Sequence, residues 1–247
     1  RRYFSVAASA RQTTFDTTLA SLRSGKGAIM VKSVGNNFDE DADFYSGSNT
    51  CGNSAALGLS CHDGNLDQQH IYPTVIVVSA LAADGKKASY SSIGSPLWVS
   101  APGGESGVNT SYVGVSGVYL EPAIMTTDLS SCSKGYVSPT GNIKYNAFND
   151  FTSPHAENSN CNYASTFNGT SSAAPNVSGV IALMLEANSS LTWRDVKHIL
   201  ATTSKQVDAS FSPISLNSIT YHSWITNSAG NKFHNYYGFG GVDISST

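Results

Sequence analysis

The stretch Asn168-Gly169-Thr170-Ser171-Ser172-Ala173-Ala174-Pro175 concentrates the residue types that nucleophilic chemistry needs. Ser171 stands two residues after a glycine and directly before a segment of helical periodicity, in which Pro175 suits a first-turn position. A hydroxyl at that place meets unpaired backbone N–H groups and the positive end of the helix dipole, and both favour developing negative charge. Ala173 and Ala174 are small enough to let the helix approach a sheet closely. Taken alone, the same residues also describe a serine that merely caps a helix. A serine hydroxyl attacks only when a base takes its proton, so the histidines matter next. There are six, at 62, 70, 155, 198, 222 and 234, and none has metal-ligand spacing. A second chemical candidate is Asp39-Glu40-Asp41-Ala42-Asp43, whose carboxylates suit a hard cation such as calcium but lack the loop spacing of an EF-hand.

The elements that would position these residues alternate between strand and helix. Phe15, Leu19 and Leu22 predict a helix over 15–24, ended by Gly25 and Gly27. Residues 27–34 follow as a short, mostly buried strand, stopped by Gly35-Asn36-Asn37. Forty residues rich in Asn, Asp, Ser and Gly then form a loop. Residues 74–81 (TVIVVSAL) are a continuous β-branched run, as in a strand buried on both faces. Shorter strands are expected at 88–92 and 97–101, and another at 122–125. The clearest helix covers 173–187, with Val177, Ile181 and Leu185 on one face. Thr192-Trp193-Arg194-Asp195 reads as a capping box opening a helix through Leu200. Tyr237-Gly238-Phe239-Gly240-Gly241 reads as a turn-rich stop. With no internal repeat and no linker-like break, the expectation is one α/β domain over 1–247 built on a mainly parallel sheet.

Composition narrows the partners. The net charge is −3 and charged residues are 13 % of the chain, about half the usual share of roughly 25 %. That excludes a polybasic nucleic-acid or membrane-anchoring surface as the main business. Serine supplies about one residue in six, a balance typical of secreted, loop-rich enzymes. No apolar run approaches the roughly 20 residues of a spanning helix. Of three possible pairings of the four cysteines, Cys51–Cys61 with Cys132–Cys161 is the least demanding, each bridge closing a polar loop. Polar surroundings favour bridges over buried thiols, and hence an oxidising compartment.

Gly169-Thr170-Ser171-Ser172-Ala173-Ala174-Pro175 resembles the nucleophile motif of the subtilisin-like serine proteases, G-T-S-x-A-[AS]-P. The position matching the attacking serine is Ser171. Val34-Gly35-Asn36 is similar to the segment that places the family's oxyanion asparagine, with Asn36 matching and Asn37 as the slip-by-one alternative. Tyr72 to Val78, Ala88 to Ser92 and Ala101-Pro102-Gly103 follow the family's order between these motifs. Leu185 to Val196 and the Tyr237-Gly238-Phe239-Gly240 ending resemble the kexin-like branch. The resemblance implies a subtilisin-like three-layer α/β/α fold lacking its N-terminal strands and helices, and secretion. It implies a serine endopeptidase acting on polypeptides through an acyl-enzyme, with Ser171 and Asn36 catalytic. Ser33, Val34 and Gly35 would line the pocket for the residue before the cut. Gly169 would let the substrate chain pass close, and Thr170 would support the oxyanion hole as a secondary polar group.

Two departures matter. The kexin-like Glu that helps shape a basic pocket has no match in Tyr90-Ser91-Ser92-Ile93, which puts a dibasic preference in doubt. Before Asn36 there is no histidine, and Asp16 is the only acid there, whereas the family places its Asp and His upstream of the asparagine. The expectation is therefore a fragment whose base and carboxylate lie on the missing N-terminal part of the same protein, inactive alone and able to dimerise through exposed truncated surface. A local substitute such as His155 is the weaker option. The chemistry requires no cofactor, and structural calcium at residues 39–43 is the one metal expectation. The alternative function is a non-catalytic subtilase-like α/β module that binds another protein.

Overall fold

The computed structural model describes residues 13, 17–38, 52–109, 112, 122–141 and 145–246. Its centre is a parallel sheet in the order β1 (Met30–Ser33), β2 (Val75–Leu81), β3 (Leu97–Pro102). Met30 pairs with Val75 and Ser33 with Val78, while Val78 pairs with Val99 and Ala80 with Ala101. All seven residues of β2 are buried, as the β-branched run predicts. Its alternating side chains feed two cores. Ile76, Val78 and Ala80 pack with Val99 and Ala101 against the helices. Val75 and Val77 pack on the opposite face with Val34, Tyr72 and Leu97.

Two helices cover the first face. Helix α1 (Thr170–Ala187) contributes Ala173, Val177, Val180, Ile181 and Met184, and α2 (Trp193–Thr203) contributes Val196 and Leu200. The expected capping box opens α2: Asp195 N–H donates to Thr192 Oγ1, and Thr192 N–H donates to Asp195 Oδ2. The other face is covered by 3₁₀ turns at Gly64–Leu66 and Gln68–Ile71. A separate antiparallel pair, β4 (Ile124–Thr127) and β5 (Tyr163–Phe167), carries the chain into α1. The loop between them is closed by the expected Cys132–Cys161 bridge. Cys61 is also disulfide-bonded; its expected partner Cys51 lies outside the described residues, as do the acidic residues 39–43.

Several local expectations are corrected. Of the helix predicted over 15–24, residues 17–21 are helical among the described residues, with Leu19–Ser21 in α form; Arg23 and Ser24 take positive φ and end it early. Residues 88–92 form no strand. Ser91 N–H donates to Ala88 O at 3.0 Å, and Ser91 Oγ accepts from Ala80 N–H at 3.1 Å. Serine side chains here take backbone partners that a ladder would use, so the segment is a turn, with Ala88, Ser91 and Ser92 buried. Helix α1 begins three residues early, which places Ser171 inside its first turn. Pro175 is then an interior position, and its missing N–H leaves the carbonyl of Ser171 without the usual i+4 donor. The glycine-rich tail is more than a stop. Ser100 N–H donates to Gly240 O at 2.8 Å and Val242 N–H to Ser100 O at 2.9 Å, so the tail runs along the outer edge of β3.

Candidate active site

The loop after β1 and the start of α1 meet at Asn36 and Thr170. Asn36 Oδ1 accepts from Thr170 N–H at 2.9 Å and from Thr170 Oγ1 at 2.7 Å. Thr170 Oγ1 in turn accepts from Gly35 N–H at 3.2 Å. Because its oxygen is doubly held, the Asn36 amide is fixed with Nδ2 turned towards Gly169. Asn37 is held on another segment: its backbone N–H donates to Ser92 Oγ at 3.1 Å. The structure thus brings Asn36, and not its neighbour, to the serine motif.

Gly169 is the hinge of this arrangement. Its φ of +108° is one that side chains rarely adopt. A Cβ placed on it would stand 3.3 Å from Asn36 Nδ2 and 3.6 Å from Ser171 N. Those two donors therefore look onto one small space, which glycine leaves open. Among the first N–H groups of α1, that of Thr170 is taken by Asn36, and those of Ser172 and Ala173 reach Gly169 O. Ser171 N–H has no partner among the described residues, nor has its hydroxyl, and the residue is exposed. Its neighbours are the reverse. Thr170 is buried, and Ser172 Oγ is buried against Gly103 O at 2.9 Å and Gly169 O at 2.7 Å. An exposed hydroxyl and N–H beside a fixed carboxamide can attack a carbonyl carbon and hold the oxygen that becomes negative.

A cavity of about 190 Å³ opens beside this point. Ser33, Val34 and Gly35 line it together with His62, Asp63 and Asp67. The two carboxylates were missed in the sequence because single acids in an Asn/Gly-rich loop have no telling spacing. Burial alone would raise the carboxyl of Asp67, but Lys32 Nζ at 2.8 Å and Gln69 N–H outweigh it and hold Asp67 below its ordinary value. Asp63 Oδ1 accepts from Asn65 N–H at 2.8 Å. His70 is buried behind the cavity, with Nδ1 at 2.7 Å from Gly64 O and Nε2 at 3.1 Å from Ser33 O. Burial pushes its pKa down, partly opposed by Gly64 O and Asp67.

None of the six histidines hydrogen-bonds Ser171. His155 Nδ1 accepts from Glu157 N–H and its ring lies 5.6 Å from that of Phe148. His222 and His234 belong to an aromatic cluster in the tail. His62 lines the cavity, and His198 lies on α2. Among the described residues no group of three or more His, Cys, Asp or Glu is arranged to hold a metal.

The family of proteins described as the Subtilase family matches residues 5–240. The chain belongs to the subtilase family. It is 36 % identical over 230 residues to the Aeromonas extracellular serine protease of Aeromonas sobria, covering 89 % of this chain and 34 % of that protein. It is 36 % identical over 132 residues to human proprotein convertase subtilisin/kexin type 6, covering 53 % of this chain and 9 % of that one. The crystal structure of the Aeromonas sobria serine protease with the chaperone ORF2 superposes with a TM-score of 0.73 at 30 % identity, over 98 % of this chain and 39 % of that chain. The subtilase thus has a subtilisin-like α/β fold with kexin-like relatives, and spans about a third of the Aeromonas relative's length.

Proposed function

We propose that this chain supplies the nucleophile and the oxyanion hole of a secreted serine endopeptidase. Ser171 Oγ attacks the carbonyl carbon of a peptide bond, and the carbonyl oxygen takes on negative charge. Ser171 N–H and Asn36 Nδ2 donate to that oxygen, each worth about 3 kcal/mol of transition-state stabilisation. Collapse expels the amine and leaves an acyl-enzyme on Ser171, which water then hydrolyses. The proton of Ser171 goes to a histidine oriented by a carboxylate and from it to the departing amine, and both groups come from polypeptide outside these residues. Without them turnover falls by on the order of 10⁶, so the chain alone is inactive. Ser33, Val34 and Gly35 form the wall for the side chain before the cut. No cofactor takes part. A calcium ion on the acidic residues 39–43 would serve stability.

The observation that carries this reading is that Ser171, between hydrogen-bonded Thr170 and Ser172, presents both hydroxyl and N–H without a partner among the described residues, next to Asn36 Nδ2. Treating the full-length protein with a fluorophosphonate and mapping the adduct by mass spectrometry tests it. The expected adduct is on Ser171. Modification of another serine, with Ser171 intact, would reject the assignment.

A further inference from the structure

The sequence gives Tyr90 no role of its own, yet its hydroxyl joins three backbone segments. Tyr90 Oη accepts from Gly169 N–H at 2.8 Å. Its single proton is shared between Gly103 O, at 3.0 Å, and Gly104 O. Gly103 and Gly104 follow β3 directly, and their N–H groups bind Leu81 O at the end of β2, at 2.9 and 3.0 Å. The hydroxyl is therefore pinned to the end of the sheet and pins Gly169 in turn. The ring is half-buried, and the preceding residue, Ser89, is tethered by a buried carboxylate. Glu105 Oε1 accepts from Ser89 N–H at 2.6 Å and Oε2 from Ser89 Oγ at 2.8 Å. Burial pushes the phenol up to about 12, opposed by Gly169 N–H and reinforced by the charge of Glu105. Below that pH the group keeps its proton and can accept and donate at once.

Gly169 is where such a hold has most effect. Its N–H is the only one of its backbone polar groups held by a side chain outside α1, since its carbonyl serves Ser172 and Ala173. Rotation about its φ would swing the plane that carries Ser171 N relative to Asn36 Nδ2. Asn36 is itself anchored to Thr170, one residue further on. We infer that Tyr90 is a positioning residue: by holding Gly169 N–H against the sheet end it keeps the Ser171 N–H and Asn36 Nδ2 donors converged on one oxygen. This rests on the proteolytic reading above, and it assigns to Tyr90 an effect on turnover and not on substrate affinity.

The test is made in the full-length protein. Wild-type protein that turns over peptides and carries a fluorophosphonate adduct on Ser171 establishes the proteolytic reading; no adduct there sinks that reading on its own. Given the adduct, Tyr90→Phe is expected to lower kcat about 10- to 100-fold, as small misplacements of reacting groups do, with KM within about threefold. In an Asn36→Ala background one of the two donors is already gone, and the same Tyr90→Phe change is expected to lower kcat less than about threefold. A full-sized loss in that background would mark a general structural defect and overturn the inference, as would an unchanged kcat. Should Tyr90→Phe fail to fold, Ser89→Ala loosens the Glu105 tether while keeping the phenol, and it should give a smaller kcat loss with the same dependence on Asn36. Amide hydrogen exchange at Gly169 reads the contact without any turnover. It should speed about tenfold or more in Tyr90→Phe while β2 stays protected, and unchanged exchange would also overturn the proposal.

Discussion

The start of α1 and the aromatic lobe of the tail bury polar groups in opposite ways. Around Gly169, the hydroxyls of Tyr90, Thr170 and Ser172 and the amide oxygen of Asn36 each find a partner, and the groups left free among the described residues are those of exposed Ser171 and Asn36 Nδ2. In the tail, Phe211, Trp224, Tyr236 and Tyr237 pack around His222 and His234, with ring centroids 4.5 to 6.4 Å apart. There, among the described residues, His234 Nε2 and Trp224 Nε1 are buried without a hydrogen-bond partner, and the His222 ring has only the Gly58 backbone to bond. The first region uses hydrogen bonds to fix directions, which chemistry needs. The second relies on aromatic area, which is tolerant of direction but leaves polar atoms at a cost. Changes in the first should alter rate far more than stability, and changes in the second should do the opposite.

Ser171→Ala gives the largest split. In the full-length protein it should lower kcat by on the order of 10⁶ while the melting temperature stays put, because the side chain is exposed and unbonded. Steady-state peptide hydrolysis beside a thermal melt reads both. A protein that loses stability but keeps activity would reverse the comparison. Asn36→Ala comes next, with an expected kcat loss of about 10²- to 10³-fold. It should also cost modest stability, since Thr170 N–H and its hydroxyl lose their acceptor.

The two regions were unequally legible in the sequence. The Ser171 motif, the 74–81 strand and the helix after it declare themselves through a rare residue string, a β-branched run and 3.6-residue periodicity. Asn36 was legible only through resemblance, since Gly-Asn-Asn is otherwise an ordinary turn. Tyr90 and Ser91 were read as strand residues because hydroxyls that bond distant backbone leave no periodic trace. Asp63 reaches the cavity only through the loop's path past β1. In the tail, Tyr237-Gly238-Phe239-Gly240 announces turns, but the edge pairing with Ser100 depends on a contact across more than a hundred residues, and the histidine cluster on the tail folding back on itself.

A pH titration probes the second region. Burial, with the nearby His222, depresses His234 from 6.5 to about 4, so the unfolded chain takes up the proton first. Stability is then complete above pH 6.5 and declines as pH falls towards 4, by up to about 3 kcal/mol. Asp63 opposes the same trend at His222, whose pKa burial also lowers. Denaturant unfolding at pH 7 and pH 4.5 should show the loss, and His234→Asn, which keeps an acceptor near Tyr236 N–H, should flatten it. A stability that is level across this range would place the protonation cost elsewhere.

The smallest effects come from removing one polar side chain from each region. Ser172→Ala deletes a hydroxyl that donates to Gly103 O and Gly169 O, and should cost about 1 kcal/mol. Gly169 O keeps Ser172 N–H and Ala173 N–H as donors, so the loss should stay near that figure. His222→Phe removes two buried ring nitrogens whose one hydrogen-bonding neighbour among the described residues is the Gly58 backbone, while keeping a flat ring beside Tyr236, 4.9 Å away. Replacing poorly satisfied polar atoms by apolar ones of similar shape is near neutral or stabilising, so its melting temperature at pH 7 should hold or rise. Equal losses in the two variants would mean that the tail histidine is as well served as the serine, and the contrast between the regions would fall.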